Sequence, residues 1–186
     1  MLDLIRKLRV SFVIYSLRKN NLQRTMKQNT ILNFSKLKYR NGVIGLVLNK
    51  DKRILIVQSI DYGKDEWRFP GGGIEIGELS KNALLRELLE ELGTSKFEIL
   101  KKSDVVIKYD WPLEVIKKKL VDKGKTYKGQ TQIQYLVSFL GNSDEIKADK
   151  KELRKIKWVS FMDLRLYFKF PGQWENARKT IDRFGI

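Results

Sequence analysis

Three glutamates within one turn of a predicted helix have the residue type and spacing that metal-assisted chemistry requires. At 100° per residue, Glu87, Glu90 and Glu91 fall on one helix face. The apolar residues of the segment fall on the opposite side: Leu84, Leu85, Leu88 and Leu92. Like charges this close repel, so we expect a cation beside them, either a hard divalent ion or a basic side chain such as Arg86. An acidic surface without a function is the alternative, because glutamate clusters are common on solvated helices.

The sequence around these glutamates predicts how they are positioned. Residues 81–92 have helical periodicity, with Ser80 as a candidate N-cap and Gly93 as the C-terminal cap. A Pro-Gly-Gly-Gly break at 70–73 precedes the helix. Glycine lets the backbone approach a phosphate or a metal ion closely. Loop and helix are therefore expected to present backbone and carboxylates to the same point.

The composition excludes several classes of enzyme. The chain has no histidine and no cysteine, which rules out a disulfide framework, a Cys/His zinc site, a Ser-His-Asp triad and a thiol nucleophile. Acid–base or metal chemistry must therefore use carboxylates, lysines, tyrosines or bound water. The 38 basic and 22 acidic residues leave a net charge of +16, which favours phosphate-rich partners such as nucleic acid or an anionic membrane surface.

Half of the basic excess lies near the start of the chain. Residues 1–38 contain nine Lys and Arg and one acid, which leaves +8, and residues 39–186 carry the other +8. Apolar residues near helical spacing suggest a basic amphipathic helix that touches RNA or a membrane surface, or a transit peptide. The alternative is an appended segment, since Met26 could equally start the protein. We expect an N-terminal extension (1–38) and one domain (39–186), no transmembrane segment, and a soluble cytoplasmic protein.

The remaining apolar runs predict a sheet with flanking helices. A hairpin is expected from Val43–Leu48 and Arg53–Gln58, joined by a turn at 49–52. Further predicted elements are strands at Phe97–Leu100, Asp104–Ile107 and Gln132–Leu140, and a second helix at Pro171–Phe184. Strands and helices without regular βαβ alternation favour an α+β domain with a mixed sheet.

The residues from Gly72 to Gly93 follow a spacing that resembles the Nudix box, G-x5-E-x7-R-E-U-x-E-E-x-G-U, where U is apolar. Thr94 stands at the last position and departs from the pattern. The resemblance implies a mixed β-sheet sandwiched between α-helices. It also implies hydrolysis of a nucleoside diphosphate linked to another group, by attack of water on phosphorus assisted by Mg²⁺ or Mn²⁺.

The same resemblance implies roles for individual residues. The metal ligands would be Glu87, Glu90, Glu91 and Gly72 of the loop. Arg86 would pair with and orient a box carboxylate such as Glu78, and Gly93 would have a structural role.

Flanking stretches resemble those of bacterial RNA pyrophosphohydrolases and of asymmetrically cleaving dinucleoside polyphosphate hydrolases. The stretches are Tyr39-Arg40 with Val43-Ile44-Gly45, Trp67-Arg68-Phe69-Pro70, Gly129-Gln130-Thr131-Gln132, and Glu152 with Trp158-Val159-Ser160. Glu152 would complete the metal site; its alternative is a solvated charge in the lysine-rich run 147–157. Geometry decides whether Glu87, Glu91 or Glu152 serves as the base.

Substrate contacts follow from the same flanks. The residues that would hold the leading nucleotides are Tyr109, Gln130, Phe168 and Lys169, since aromatic stacking beside a cation suits single-stranded RNA. Core packing is the alternative for each aromatic ring. The chain departs from these relatives at Gly71 and Gln134, where they usually have Gln and Trp, and it lacks an arginine between Gln58 and Glu66.

Three functions remain open at this point. The first is removal of pyrophosphate or phosphate from 5′-triphosphate or 5′-diphosphate RNA, which the basic charge favours. The second is hydrolysis of diadenosine tetraphosphate or another small nucleotide. The third is a binding protein for RNA or membrane on a Nudix scaffold without catalysis. The complete set of box carboxylates argues against the third. The sequence leaves the oligomeric state and the preferred metal open.

Overall fold

The structure, a computed structural model, describes residues 36–61, 63–123 and 126–186. The chain divides into two compact units, the larger formed by Tyr39–Asp110 and Gly129–Ile186 and the smaller by Met1–Lys38 and Trp111–Lys128. Except for residues 36–38, the basic N-terminal extension lies outside the described residues. Within the described ranges, no helix has the length and apolar character needed to cross a membrane.

The larger unit contains one mixed six-stranded sheet. Its strands are β1 (Tyr39–Leu48), β2 (Ile54–Ser59), β3 (Phe97–Lys102), β4 (Ile107–Asp110), β5 (Gly129–Phe139) and β6 (Leu153–Val159). The order is β3-β5-β1-β2-β6, and β4 also pairs with β5. Strands β1 and β5 are parallel, from Tyr39 opposite Gly129 to Leu48 opposite Ser138, whereas the other pairs are antiparallel.

Helices cover both faces of this sheet. The larger unit contains α1 (Ser80–Leu92), α3 (Phe161–Tyr167) and α4 (Gln173–Phe184), and the smaller unit contains α2 (Leu113–Lys123). Alternation along β2 separates the two cores: Leu55 and Val57 pack with α1, whereas Ile54 and Ile56 pack with α3 and α4. Each fully buried aliphatic side chain contributes about 1.5–3 kcal/mol. The α+β sandwich expected from the sequence is confirmed.

The glycine loop is part of the sheet. Arg68 and Val57 of β2 exchange two backbone hydrogen bonds, of 2.8 and 2.9 Å. On the other side, Val43 and Gly45 of β1 donate their backbone N–H groups to the carbonyls of Gly72 and Pro70, each at 2.9 Å. The segment from 68 to 73 is therefore held between β1 and β2. A loop fixed in this way keeps its amides in place without help from a ligand.

Local signals explain both ends of α1. Gly93 follows the helix with φ of 67° and donates its N–H to the Leu89 carbonyl at 2.9 Å, which confirms the predicted C-terminal cap. The predicted N-cap at Ser80 is wrong, because Leu79 precedes the helix and Ser80 is its first residue. The Ser80 hydroxyl lies 2.7 Å from the Tyr135 hydroxyl of β5. It therefore binds the sheet rather than capping its own helix.

Other elements differ from the sequence-based expectations. The predicted strand at 104–107 begins at Ile107 instead, because the Ser103 hydroxyl accepts the Val105 N–H at 3.2 Å and turns the chain there. Strand β6 and helices α2 and α3 were not predicted. In β6, exposed lysines at 155 and 157 interrupt the apolar pattern. Such charges are usual on a strand at the edge of a sheet.

The described part of the smaller unit has an aromatic contact of its own. Trp111 and Tyr127 pack edge to face with their ring centroids 6.4 Å apart. The Lys119 ammonium of α2 lies 5.0 Å from the centroid of the Trp111 ring. The backbone N–H of Trp111 also donates to the Lys128 carbonyl at 2.9 Å.

Two glycines test how the end of α1 is fixed. Gly93 and Gly77 both have positive φ, of 67° and 81°. A Cβ on Gly93 would lie 2.6 Å from the Lys147 carbonyl oxygen, whereas a Cβ on Gly77 would meet nothing within 4 Å. We expect Gly77→Ala to lower the free energy of unfolding by about 1–2 kcal/mol through backbone strain alone. Gly93→Ala should cost more, because it adds the clash. Urea unfolding of both variants measures this, and equal losses would contradict it.

Candidate active site

Helix α1 brings the box glutamates together but buries them unequally. Leu84, Leu88 and Leu92 are fully buried, as the periodicity predicts. Glu91 is also buried, with 2% of its surface exposed, although the sequence placed it on the polar face. Glu87 is half-buried and Glu90 is exposed. The three carboxylates therefore occupy different environments.

Arg86 is the cation beside this cluster in the structure. It forms a two-pronged ion pair with Glu78, with both N–O distances 2.9 Å. Its second terminal nitrogen lies 3.1 Å from an oxygen of Glu87 and 3.1 Å from an oxygen of Glu90. The terminal nitrogen that binds Glu78 also donates to the Gly73 carbonyl at 2.9 Å. One guanidinium therefore ties three carboxylates to the glycine loop.

These contacts shift the ionisation of the pair. The hydrogen bond from the Arg86 side chain, with a smaller contribution from the Glu75 N–H, lowers the pKa of Glu78 from 4.5 to about 2. The hydrogen bond to Glu78 in turn raises the pKa of Arg86, so that it stays cationic throughout the physiological range. The expected pairing of Arg86 with Glu78 is present; the catalytic role of Arg86 stays a prediction.

Glu91 has a different partner, which the sequence analysis missed. The Arg68 guanidinium forms an ion pair with one Glu91 oxygen, and the Gly71 N–H donates to the other at 3.0 Å. Burial raises the pKa of Glu91, and the charge of Arg68 and both hydrogen bonds oppose that shift. One signal was available in the sequence: at 100° per residue Glu91 lies about 20° from Leu84 and so adjoins the buried leucine face, where an acid needs a cation.

The glycine loop contacts Glu87 directly. The Gly73 N–H donates to a Glu87 oxygen at 3.0 Å. A side chain on Gly72 would overlap the Glu87 carboxylate, so a substitution at that position would displace this carboxylate from the loop. The Gly72 carbonyl accepts the Val43 N–H at 2.9 Å. The glycine loop and α1 are thus in direct contact, as expected from a glycine-rich segment that directly precedes the glutamate helix.

The donor set fits a hard divalent cation by its chemistry. All the candidate side-chain ligands offer carboxylate oxygens, which Mg²⁺ and Mn²⁺ prefer. Among the residues that the structure describes, no three acidic side chains are arranged as a metal centre. The oxygens of Glu87, Glu90 and Glu91 are turned to arginines and loop amides. A carboxylate has about four lone-pair sites, so these contacts leave room for a further ligand bond.

Glu152 lies on a segment that is tied to the end of α1. The Glu91 carbonyl accepts the Asp149 N–H at 3.0 Å, and the Asp149 carbonyl accepts the Glu152 N–H at 3.0 Å. The Glu152 carbonyl accepts the Ile60 N–H at 2.8 Å, and its side chain is exposed. Its role as a fourth carboxylate of the site stays a prediction.

Two of the predicted substrate residues lie together. Tyr109 of β4 is opposite Gln130 of β5, and its hydroxyl donates to the Gln130 side-chain oxygen at 3.5 Å. Tyr109 is 38% exposed, whereas Gln130 is 8% exposed. A Cβ on Gly42 would overlap the Gln130 amide and lie 2.9 Å from the Gly72 carbonyl oxygen. The absence of a side chain at Gly42 therefore lets Gln130 lie beside the glycine loop.

The other two predicted substrate residues differ from each other. Phe168 is only 6% exposed and packs edge to face against Phe69, with their ring centroids 4.9 Å apart. Core packing, the alternative considered for this ring, accounts for its position. Lys169 is exposed and follows directly in the chain. Stacking of a base on Phe168 would first require the ring to leave this contact.

Comparison with known proteins agrees with the geometry. Residues 38–184 match the family described as NUDIX domain. The RNA pyrophosphohydrolase of Pelagibacter ubique is 37% identical over 72% of this chain and 85% of its own length. The RNA pyrophosphohydrolase of Orientia tsutsugamushi is 36% identical over 84% of this chain and 96% of its own. Among solved structures, the dihydroneopterin triphosphate pyrophosphohydrolase of E. coli has a TM-score of 0.59 at 17% identity, covering 74% of this chain and 93% of its own; this likeness shows the fold.

The Glu78 ion pair predicts a pH dependence of stability. The folded pKa of about 2 lies below the ordinary 4.5, so the carboxylate stabilises the fold fully above about pH 5, and the contribution is lost as the pH falls towards 2. The difference in urea midpoint between the wild type and Glu78→Gln should therefore be largest at pH 6–7 and shrink below about pH 4.5. Asn82→Ala, an exposed change on the same helix, is the control and should give a constant difference. A Glu78→Gln difference that persists unchanged at pH 2.5 would contradict the assignment.

Proposed function

The chain belongs to the Nudix family and is a Nudix hydrolase, and from this premise we propose that it removes pyrophosphate or phosphate from the 5′ end of triphosphate or diphosphate RNA. The observation that carries the proposal is the direct joining of the glycine loop to the glutamate helix, through Gly71 to Glu91 and Gly73 to Glu87. Two of the relatives described above are RNA pyrophosphohydrolases, and the match covers most of the length of each. This likeness supports RNA as the substrate.

Nudix hydrolases generally use divalent metal ions, and we extend this to Mg²⁺ or Mn²⁺ for this chain. The ligands in this proposal are Glu87, Glu90, Glu91, Glu152 and the backbone of Gly72. When bound, the metal lowers the pKa of water and neutralises charge on the pyrophosphate group.

The chain's own residues supply the rest of the mechanism in this proposal. Arg86 holds Glu87 and Glu90 at the loop through its 3.1 Å contacts and is itself anchored by Glu78. One of the carboxylates takes the proton from the attacking water, with Glu87, Glu91 and Glu152 as the candidates. Because the loop is hydrogen-bonded into the sheet, its positions need little rearrangement when the substrate binds.

Recognition of the RNA end is assigned to the face formed by β4 and β5. Tyr109 is 38% exposed and could meet a base, and Gln130 lies beside the loop that would face the phosphates. Lys169 and the net charge of +16 would attract the RNA backbone. The proposal includes a cytoplasmic location, since RNA 5′ ends are the substrate.

The first test is hydrolysis by Glu91→Gln. We expect the wild type to release pyrophosphate or phosphate from 5′-triphosphorylated RNA with Mg²⁺ or Mn²⁺, and kcat of Glu91→Gln to fall by at least about 100-fold, because the variant loses a charged ligand at the centre of the site. Glu98→Gln, an exposed change on β3, is the matched control and should keep wild-type turnover. The measurement is phosphate and pyrophosphate release, run beside diadenosine tetraphosphate and single nucleoside triphosphates.

The outcomes of this assay separate the three hypotheses. Turnover of RNA that collapses in Glu91→Gln supports the proposal. Turnover of diadenosine tetraphosphate or small nucleotides alone would move the chain to the second hypothesis. The absence of metal-dependent turnover of any substrate would favour a binding protein on the Nudix scaffold.

Salt dependence gives an independent test of the substrate. An RNA chain makes several phosphate contacts outside the reacting group, and each contributes about −0.7 to the slope of log kcat/KM against log salt. We expect a slope of about −2 for 5′-triphosphorylated RNA and a shallower slope for diadenosine tetraphosphate, measured between 50 and 300 mM KCl. Equal slopes for the two substrates would argue against an RNA-binding surface beyond the site.

A further inference from the structure

Arg68 makes three side-chain contacts that connect the glycine loop to the glutamate helix. Its guanidinium forms the ion pair with Glu91 and also donates to the carbonyls of Phe69 and Gly71, each at 3.0 Å. The backbone of Arg68 is itself fixed by the two hydrogen bonds to Val57 of β2. The guanidinium therefore spans from the sheet, across the loop, to α1.

Glu91 closes this connection from the other side. One oxygen binds Arg68 and the other accepts the Gly71 N–H at 3.0 Å, so Arg68, Glu91 and Gly71 form a closed ring of hydrogen bonds. Glu91 is 2% exposed whereas the Arg68 side chain is 22% exposed, so solvent reaches this pair only from the arginine side. Removing one partner of a buried charge pair typically costs several kcal/mol. The orientation of the Glu91 carboxylate therefore depends on Arg68.

From these contacts we infer that Arg68 is a positioning residue for the proposed hydrolysis: it holds the Glu91 carboxylate and the glycine loop in the one relative arrangement that the phosphate-facing site uses. The inference rests on the proposed function for its catalytic consequence, but the coupling of loop and helix is measurable without substrate. The planar fork of arginine is needed, because a lysine ammonium cannot reach two carbonyls and a carboxylate in that geometry.

Amide hydrogen exchange measures the coupling directly. The Gly71 N–H is the donor to Glu91, so its exchange should accelerate at least tenfold in Arg68→Gln if Arg68 keeps that carboxylate in place. The Gly93 N–H, which binds the Leu89 carbonyl at the C-terminal end of α1, should stay within about twofold and reports on whether the last turn of the helix is intact. Arg68→Lys, which keeps the charge and loses the fork, should give a smaller acceleration at Gly71. Arg178→Gln, an exposed arginine of α4, is the matched control for loss of one positive charge.

A double-mutant cycle tests whether Arg68 acts through Glu91. In the wild-type background, Arg68→Gln should lower kcat for 5′-triphosphorylated RNA about 10- to 100-fold and change KM less than about threefold. In the Glu91→Gln background the same substitution should lower kcat by less than about twofold, since the group that it positions is already altered. Arg178→Gln should leave both parameters unchanged.

Several results would overturn the inference. Unchanged exchange at Gly71 in Arg68→Gln would show that the loop does not depend on the guanidinium. If the fold-losses of kcat in the two single variants multiply in the double variant, Arg68 acts independently of Glu91. Faster exchange at every sheet amide in both Arg68 variants would show that Arg68 stabilises the whole fold rather than positioning Glu91. If the wild type fails to hydrolyse RNA, the proposed function fails, whereas the exchange experiment still decides the role of Arg68 in the loop.

Discussion

The concentration of negative charge along α1 is the constraint on which the rest of this structure depends. Like charges three or four residues apart on an exposed helix cost only a few tenths of a kcal/mol per pair, so Glu87 and Glu90 alone would be tolerated with Arg86 beside them. A buried carboxylate is a different matter, because an uncompensated charge in the interior costs several kcal/mol. Glu91 is the buried one. The carboxylate that Arg68 pairs with is therefore the one with the largest cost of burial, since Glu78 and Glu87, the partners of Arg86, keep more of their surface in solvent.

The need to pair the buried Glu91 carboxylate with Arg68 determines the conformation of the glycine loop. Arg68 reaches Glu91 because the segment from 68 to 73 lies between β1 and β2, where its backbone is bonded on both sides. Glycine is required along this segment since Gly71 has φ of 131° and a side chain at that position would overlap the Val43 backbone. A side chain on Gly72 would likewise displace Glu87. The glycines thus follow from close packing against the strand and the helix, and the amides of Gly71 and Gly73 are used within the protein as donors to Glu91 and Glu87.

The sequence predicted the parts of this arrangement that are local and missed those that depend on distant contacts. Helix α1 with its end at Gly93, and the turn that joins β1 to β2, follow from periodicity and turn residues within a few positions. The predicted hairpin is present only at its closed end, where Leu48 pairs with Ile54, because the segment from 68 to 73 lies between the two strands beyond that point. Helix geometry does signal the burial of Glu91, which at 100° per residue lies about 20° from Leu84, but its partner Arg68, 23 residues earlier in the chain, cannot be read from periodicity. Ser80 was misplaced for the same reason, because its partner is Tyr135 in the sheet. Strand β6 was missed because its lysines are a feature of its edge position.

The sheet also explains why one domain can combine a shared reaction with a specific substrate. The box residues are fixed by Arg86, Arg68 and the loop, all of which are contacts within that segment and its neighbouring strands. The face that carries Tyr109 belongs to β4 and β5, and it meets the box where Gln130 lies beside Gly72. The side-chain hydrogen bonds described above for Arg68 and Arg86 go to the glycine loop, Glu78 and α1, so we expect substitutions of exposed side chains on β4 and β5 to leave those bonds in place. If this face recognises the substrate, as proposed above, substrate preference can diverge there while the hydrolytic centre is kept.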